Sequence, residues 1–328
     1  MSRGAATVGP LVDELVALYR RMLLIRAMEQ RLGELVAAGE VPGAVHLSIG
    51  QEAIAVGICA HLSDRDWIAS THRGHGHFLA KGGSPAAMAA EVLGRSGGVC
   101  GGKGGSMHVA DVGRGMLGAN GIVGGGIGLA AGAAWSMQLA GEQRLAVAFF
   151  GDGGANQGVV AEALNVAALW KLPLLLVCEN NGYSEFSRSD AVTAGGIAER
   201  AQPYGIPWAR IDGNDLLEVW RTAAGAIDRA RRGEGPTFIE AMTYRQRGHV
   251  ETENSFLSRR YRADDEVERW KARDPLTRAR AALVGRWVPE AALNELHSSV
   301  DAEVRAAYDE ALAQPAPSPE TAMTHMID

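Results

Sequence analysis

Three continuous apolar runs dominate the hydrophobic pattern in the middle of the chain. They read LAVAFF at residues 145–150, PLLLVCE at 173–179 and TFIEAM at 237–242. Runs in which apolar and polar positions do not alternate are typical of strands that are buried on both faces, as in parallel sheets. Helical patterns over about residues 155–170 and 214–233 lie between these runs. The pattern therefore predicts a parallel sheet built from strand–helix–strand units.

The N-terminal part of the chain predicts a long amphipathic helix over residues 11–38. Gly39 and Pro42 follow it and favour its end at this point. Its apolar positions recur at steps of three or four, which is the spacing of one helix face. These positions are Leu11, Leu15, Leu18, Met22, Ile25, Met28, Leu32 and Leu35.

Charged, helical sequence begins again at residue 263. The last segment, QPAPSPETAMTHMID, has the composition of a disordered tail. We therefore expect an α/β domain over residues 1–262 and a helical C-terminal extension with a flexible tail over residues 263–328.

A long uncharged stretch lies between Arg114 and Glu142. Its length alone would suit a membrane span, but its many glycines, Asn120 and Gln138 argue against one. A loop followed by a buried helix, GIGLAAGAAWSMQLA, fits better. Glycines spaced four residues apart at its start allow close approach of helix backbones, and the sequence therefore predicts a subunit interface here. The glycine-rich run over residues 94–132 is punctuated by apolar residues, which predicts backbone packed closely against another group.

The net charge, the cysteines and the first residues of the chain limit which classes of function we expect. A net charge of −6 gives no sign of a nucleic-acid or membrane-surface partner. Cys59, Cys100 and Cys178 are widely spaced, which fits a reducing cytosol and no structural zinc. The first residues show no signal-peptide pattern, so we expect a cytoplasmic protein.

The motif GDGGANQG, at residues 151–158, fails two common nucleotide-binding patterns. A dinucleotide fingerprint requires glycine where Asn156 stands, and a P-loop over GGVCGGKG requires a hydroxyl where Gly104 stands. A third interpretation fits, because Asp152 and Asn181 each follow one of two consecutive predicted strands. Parallel strands end at the same sheet edge, so one carboxylate and one amide oxygen would meet there as ligands for a hard cation that binds phosphate oxygens.

The GDG motif, the 26 residues between Gly153 and Asn180, and the NN pair together resemble the thiamine diphosphate signature. A capped turn plus an unrelated asparagine pair would also produce these two strings. The resemblance extends, however, through HLSIGQEAIAVG, THRGHGHFLAKG, GGKGGSMHVAD, MLGANGIVGGGIGLAAGAA, NVAALWKLP, CENNGY and TYRQRGH. In this order they are similar to the alpha subunit of the thiamine-dependent first component of 2-oxo acid and acetoin dehydrogenase complexes, over about residues 15–262. THRGHGH and GMLGANGIVGGGI are most similar to the acetoin branch.

The resemblance implies a thiamine diphosphate-binding α/β fold with a central, mainly parallel sheet flanked by helices. It implies magnesium ligands at Asp152, Asn181 and the main-chain oxygen of Tyr183. It also implies catalytic roles for His249, His46 and His75. His72 aligns with a tyrosine of pyruvate-type relatives. A zinc site made of His72, His75 and His77 is disfavoured because no acid lies nearby. The cofactor-binding residues implied are His72, Arg73, Gly121, Val123, Asp152, Gly153, Gly154, Asn181, Tyr183 and His249.

The implied activity is cleavage of acetoin or a 2-oxo acid such as pyruvate and transfer of the acyl group to lipoyl-lysine of a partner acyltransferase. The glutamate that activates thiamine diphosphate belongs to the beta subunit in this family, so we expect two alpha and two beta chains and no activity of this chain alone. One departure lies after His249, where VETENSFLSRRYR replaces a short Asp-Pro stretch and Val250 stands where mitochondrial enzymes carry a phosphorylated serine. This departure leaves open a pyruvate or branched-chain enzyme, a thiamine-dependent acyl transferase without a lipoyl partner, and a non-catalytic assembly partner.

Overall fold

A parallel six-stranded sheet forms the centre of the computed structural model, which describes residues 9–324. The strand order is β2-β1-β3-β4-β8-β7, and every neighbouring pair in this sheet is parallel. A separate two-stranded hairpin, β5-β6, follows β4. The strands are β1 Trp67–Ala69, β2 Met116–Gly118, β3 Ala146–Gly151, β4 Leu174–Asn180, β5 Tyr183–Ser184, β6 Ser187–Arg188, β7 Trp208–Asp212 and β8 Thr237–Met242.

Helices cover both faces of this sheet, as the continuous apolar strands predict. Short 3₁₀ helices connect several of the elements, at Val112–Arg114, Gly154–Asn156, Ala198–Tyr204, Glu253–Ser255 and Pro319–Met323. The α-helices are α1 Val12–Ala37, α2 Glu52–Cys59, α3 Gly74–Ala80, α4 Pro85–Val92, α5 Gly125–Leu139, α6 Gly158–Trp170, α7 Ser189–Val192, α8 Leu216–Arg231, α9 Asp264–Lys271, α10 Pro275–Val284 and α11 Glu290–Leu312.

Alternate side chains of the central strands enter two separate hydrophobic cores. Val147 and Phe149 of β3 pack with α1, α2 and α8, whereas Ala148 and Phe150 pack with α5 and α6. The period of two in side-chain direction along a strand accounts for this division. Tyr308 of α11 belongs to the first core, so the C-terminal helices and α1 share one core. The boundary at 262/263 remains a prediction.

The register of the sheet brings the two predicted ligand positions to one edge. Gly151 of β3 pairs with Glu179 of β4, and Asn180 of β4 pairs with Met242 of β8. Asp152 and Asn181 therefore follow the ends of adjacent parallel strands. The predicted strand–helix–strand unit and the parallel sheet are confirmed.

Two details differ from the sequence expectations. The helix after β3 begins at Gly158 rather than at residue 155, because Gln157 is extended and residues 154–156 form a 3₁₀ turn. In the predicted tail, residues 319–323 form a 3₁₀ turn, and residues 325–328 lie outside the described residues. Within residues 9–324, no helix combines the length and apolarity that crossing a membrane would require.

Candidate active site

A cavity of about 300 Å³ lies at the carboxyl edge of the sheet, where β3 and β4 end. Ligands of open α/β sheets bind at this edge. All ten predicted cofactor-binding residues line the cavity, together with His46. Residues to which the sequence gave no site role also line it, among them Ser70, Met107, Asn120, Ser184, Glu185 and Arg245.

Asp152 supplies an unpartnered carboxylate to this cavity. The residue is only 1 % exposed, and neither carboxylate oxygen has a hydrogen-bond partner within residues 9–324. Burial raises the pKa of this carboxyl above its ordinary value, because an ion in a low-dielectric site is poorly solvated. A buried carboxylate without donors fits a cation ligand. Asn181, which is also buried, lines the same cavity.

Two buried guanidinium groups converge on His249. Arg73 Nη2 donates to His249 Nδ1 at 3.2 Å and to the His249 carbonyl at 2.8 Å, while Arg245 Nη1 donates to the same Nδ1 at 2.9 Å. Because a guanidinium only donates hydrogen bonds, Nδ1 must accept, and the neutral ring carries its proton on Nε2. Burial, together with Arg245, lowers the pKa of Arg73 to about 9.

Three histidine rings pack edge to face beside these arginines. The ring centroids of His46 and His72 are 4.7 Å apart, and those of His46 and His249 are 4.9 Å apart. Burial, followed by the charge of Arg73, lowers the pKa of His46 to about 4 and that of His249 to about 3, and it lowers the pKa of His72 still further. All three rings are therefore neutral near pH 7.

The trio of His46, His72 and His249 differs from the zinc site considered for the sequence, which consisted of His72, His75 and His77. Its nitrogen atoms lie within 4.8 Å of one another, a spacing that suits a metal. Two guanidinium groups share the site, however, and occupy the His249 Nδ1 lone pair. Positive charge at this distance repels a dication and favours an anion such as a diphosphate.

The glycines of the motif lie where backbone comes close to a neighbouring element. A Cβ atom at Gly153 would lie 2.4 Å from Ser184 Oγ of the β5-β6 hairpin. Glycine at this position therefore lets the hairpin close over the end of β3. Tyr183 of the same hairpin donates to Glu266 of α9, with O–O distances of 2.9 and 3.0 Å. This contact fixes the hairpin against the C-terminal helices.

His75 does not lie in the cavity wall. The residue is fully buried, with Nδ1 2.8 Å from Glu29 Oε1 and Nε2 3.0 Å from both the carbonyl and the hydroxyl oxygen of Ser106. Both ring nitrogens are thus engaged away from the cavity, and we correct its assignment from a catalytic to a supporting residue. The direction of a side chain on the short helix α3 cannot be read from THRGHGH.

Arg245 is the main site residue that sequence reasoning missed. It is 1 % exposed, lines the cavity and bonds His249 Nδ1 and the Glu185 carbonyl. The signal was present in TYRQRGH, where Arg245 lies four residues before His249. The segment after His249 is also anchored at the site, because Glu253 accepts from the His249 backbone N–H at 2.5 Å and from the Tyr261 hydroxyl at 3.2 Å.

Comparisons with known proteins agree with this geometry. Residues 20–320 match a family model described as dehydrogenase E1 component. The chain is 50 % identical over 261 residues to the alpha subunit of acetoin:2,6-dichlorophenolindophenol oxidoreductase from Bacillus subtilis, covering 79 % of this chain and 77 % of the relative. It is 44 % identical to the protein of the same name from Cupriavidus necator, covering 95 % and 93 %. It is 43 % identical to the pyruvate dehydrogenase E1 component subunit alpha of Zymomonas mobilis, covering 96 % and 89 %.

Proposed function

Because the chain belongs to the dehydrogenase E1 component family, we propose that it is the alpha subunit of a thiamine diphosphate-dependent oxidoreductase that acts on acetoin. The observation that carries the proposal is the buried carboxylate of Asp152, which has no hydrogen-bond partner in the described part of the chain and shares one cavity with Asn181 and two arginines. Such a cavity offers ligands for a cation next to donors for an anion, and magnesium diphosphate requires both.

In this proposal, different residues of the cavity bind the metal ion, the diphosphate and the rings of the cofactor. Asp152, Asn181 and the main-chain oxygen of Tyr183 would hold magnesium. Arg73, Arg245 and His72 would bind the diphosphate, together with the backbone N–H groups of Gly153 and Gly154. Gly121 and Val123, which also line the cavity, would contact the rings of the cofactor. When bound, thiamine diphosphate supplies the carbon nucleophile that attacks the substrate carbonyl group.

In this proposal, His249 donates a hydrogen bond to the substrate. Its two arginine partners keep Nδ1 unprotonated, so the remaining ring proton is on Nε2. The low pKa of the ring, about 3, keeps it neutral at working pH. A neutral Nε2–H group can donate a hydrogen bond to a substrate oxygen without adding a charge to the cavity. His46 packs against this ring and would help to hold its plane.

The proposal includes a beta subunit and a lipoyl-bearing acyltransferase, because the alpha subunits of E1 components work with both. One exposed apolar face supports subunit docking. It lies on α5 and α6 and includes Leu129, Trp135, Leu139, Leu169 and Trp170. We propose two alpha and two beta chains, located in the cytoplasm.

Pyruvate is the second candidate substrate. The Zymomonas mobilis relative, whose name contains pyruvate dehydrogenase, is nearly as similar as the Cupriavidus necator relative over the whole chain. His72 favours acetoin, because pyruvate-type relatives commonly have tyrosine at that position. An acyl transferase that acts without a lipoyl partner is not favoured, since none of the relatives compared carries such a name.

The test is reduction of 2,6-dichlorophenolindophenol by this chain together with its beta subunit, thiamine diphosphate and Mg²⁺. Acetoin, pyruvate and branched-chain 2-oxo acids are compared as substrates. We expect acetoin to give the highest kcat/KM and the isolated chain to be inactive. Activity of the complex with pyruvate alone would replace acetoin by the second candidate, and no activity with any of these substrates would contradict the proposal.

A further inference from the structure

The glycine-rich segment GGVCGGKGGSMH, residues 97–108, wraps around a buried carboxylate of the chain itself. Glu91 Oε2 accepts from the backbone N–H groups of Cys100 at 2.7 Å and Gly102 at 2.9 Å. Glu91 Oε1 accepts from those of Gly104 at 2.7 Å and Gly105 at 3.0 Å. Glu91, at the end of α4, is fully buried. Successive N–H groups that converge on one anion form a nest of the kind that otherwise binds phosphate.

The glycines of this segment are needed for that arrangement. A Cβ atom at Gly98 would lie 2.3 Å from Glu91 Oε2, and one at Gly104 would lie 2.7 Å from the His108 carbonyl oxygen. Gly102 and Gly105 also have positive φ angles, which glycine adopts most readily. The closely approaching group that the glycine run predicts is therefore the Glu91 carboxylate.

The far end of the segment reaches the proposed active site. Met107 lines the cavity, and a Cβ atom at Gly121 would lie 3.8 Å from His108 Nε2. A second buried carboxylate, Glu29, holds Ser106 through the ring of His75. The segment is thus fixed on both sides of Lys103, which itself is exposed.

We propose that Glu91 is a positioning residue for the active site. Its carboxylate binds the loop over residues 100–105 through four backbone amides and so places Met107 in the cavity wall and His108 next to Gly121. The proposal rests on the proposed function, since the cavity is the thiamine diphosphate site assigned above. It predicts that Glu91 affects the part of the cavity bordered by Met107 and Gly121 and leaves the Asp152 end unchanged.

The test uses Glu91→Gln in the alpha–beta complex. The amide NH₂ group of glutamine cannot accept a hydrogen bond, so two of the four loop N–H groups lose their acceptor. We expect tryptic cleavage after Lys103 to become about tenfold faster or more, and the Kd of thiamine diphosphate to rise by about tenfold. The Kd of Mg²⁺–pyrophosphate, measured by thermal shift, should stay within about twofold, because this probe needs the magnesium and diphosphate ligands and not the wall formed by Met107 and Gly121.

Asp66→Asn is the matched control. Asp66 is also buried and accepts backbone N–H groups, from Ser63 at 2.8 Å and Leu145 at 3.1 Å. It lies before β1, at the opposite edge of the sheet from the cavity. This variant should lower the melting temperature without changing cleavage after Lys103 or either Kd.

Several outcomes would overturn the proposal. Unchanged cleavage and cofactor binding in Glu91→Gln would show that the loop does not depend on the carboxylate. An equal loss of affinity for thiamine diphosphate and for Mg²⁺–pyrophosphate would indicate that the substitution disturbs the whole site. If Glu91→Gln does not fold, Gly104→Ala replaces it, because the added methyl group displaces the loop without removing the charge. A wild-type complex that does not bind thiamine diphosphate would contradict the proposed function instead, and the cleavage assay would still test the loop.

Discussion

At the scale of single residues, the site is defined by charges that lack their usual compensation. Asp152 is buried, and no hydrogen bond to its carboxylate is made within residues 9–324; Arg73 and Arg245 are buried side by side on one histidine. Unpaired buried charges destabilise a folded chain, and they persist where a ligand supplies the missing partner. The stability of the unliganded protein should therefore report on the site.

Asp152→Asn should stabilise the unliganded alpha–beta complex and abolish its response to cofactor. Because the folded pKa of Asp152 is raised, its ionisation opposes folding, and this effect sets in as the pH rises above the unfolded value of about 3.9. At pH 7 the variant should melt about 2 °C higher without ligand and show no shift with thiamine diphosphate and Mg²⁺. Asp228→Asn, on the exposed side of α8, is the control. A cofactor-induced shift retained in Asp152→Asn would contradict its role as metal ligand.

The neutral histidine trio predicts sensitivity to acid. In the folded chain the pKa values of His46 and His249 are about 4 and about 3, whereas unfolded histidines take up protons below about pH 6.5. The unfolded state therefore binds more protons than the folded state in this range, and stability falls as the pH decreases from about 6.5 towards 4. His46→Gln should reduce the slope of melting temperature against pH between 6.5 and 4.5. An identical slope in wild type, His46→Gln and the exposed control His297→Gln would contradict the burial argument.

At the scale of elements, the sequence predicted those whose pattern depends on burial alone. Strands β3, β4 and β8 and helices α1, α5 and α8 were recognised within a few residues, because continuous or periodic apolar runs reflect a buried environment directly. Strands β1, β2 and β7 were missed. The first two have three residues each, and β7 is an edge strand with exposed positions.

The candidate site residues also divide into those that the sequence pattern reveals and those that only the folded structure reveals. Asp152 and Asn181 were predictable because two adjacent parallel strands must end at one edge. Arg245 and the supporting role of His75 were not, because both depend on side-chain direction and on contacts between distant segments. Glu91 gave no signal, since its partners are backbone amides, which no residue type in the sequence encodes.

The exposed face on α5 and α6 should be the docking surface for another subunit. Leu139 is 71 % exposed, and in the same face the rings of Trp135 and Trp170 lie 5.2 Å apart. Exposed apolar patches of this kind mark interaction surfaces. Leu139→Glu should weaken association with the beta subunit by about tenfold or more, measured by analytical ultracentrifugation, because a carboxylate would be buried in the interface.

Leu11→Glu is the control for this face, since Leu11 is equally exposed but precedes α1, which packs on the other side of the sheet. Both variants should melt within about 2 °C of wild type as isolated chains. Equal association of Leu139→Glu and wild type would place the interface elsewhere.

At the scale of the whole molecule, distant segments of the chain support one cavity. His46 precedes the sheet, Arg73 follows β1, Asp152 follows β3 and His249 follows β8. Up to residue 324, the C-terminal segment does not line the cavity but contacts the start of the glycine-rich run, because the Ser96 backbone N–H donates to the Pro315 carbonyl at 2.9 Å. Helix α11 also packs on α4, which carries Glu91. The chain beyond α11 is thus connected to the glycine-rich loop at the cavity.

Removal of residues 314–328 should therefore open the glycine-rich loop without unfolding the protein. Lys103 Nζ donates to the Thr321 carbonyl and to Thr324 Oγ1, the latter at 2.9 Å, so truncation frees both the side chain and the backbone next to it. Cleavage by trypsin after Lys103 should accelerate by about threefold to tenfold, while the melting temperature changes little because the hydrophobic core ends at α11. Thr324→Ala removes the hydroxyl that accepts from Lys103 but keeps the Lys103 contact with the Thr321 carbonyl, so it should have a smaller effect. If the truncated chain is cleaved at the wild-type rate, the C-terminal segment has no part in supporting the loop or the site.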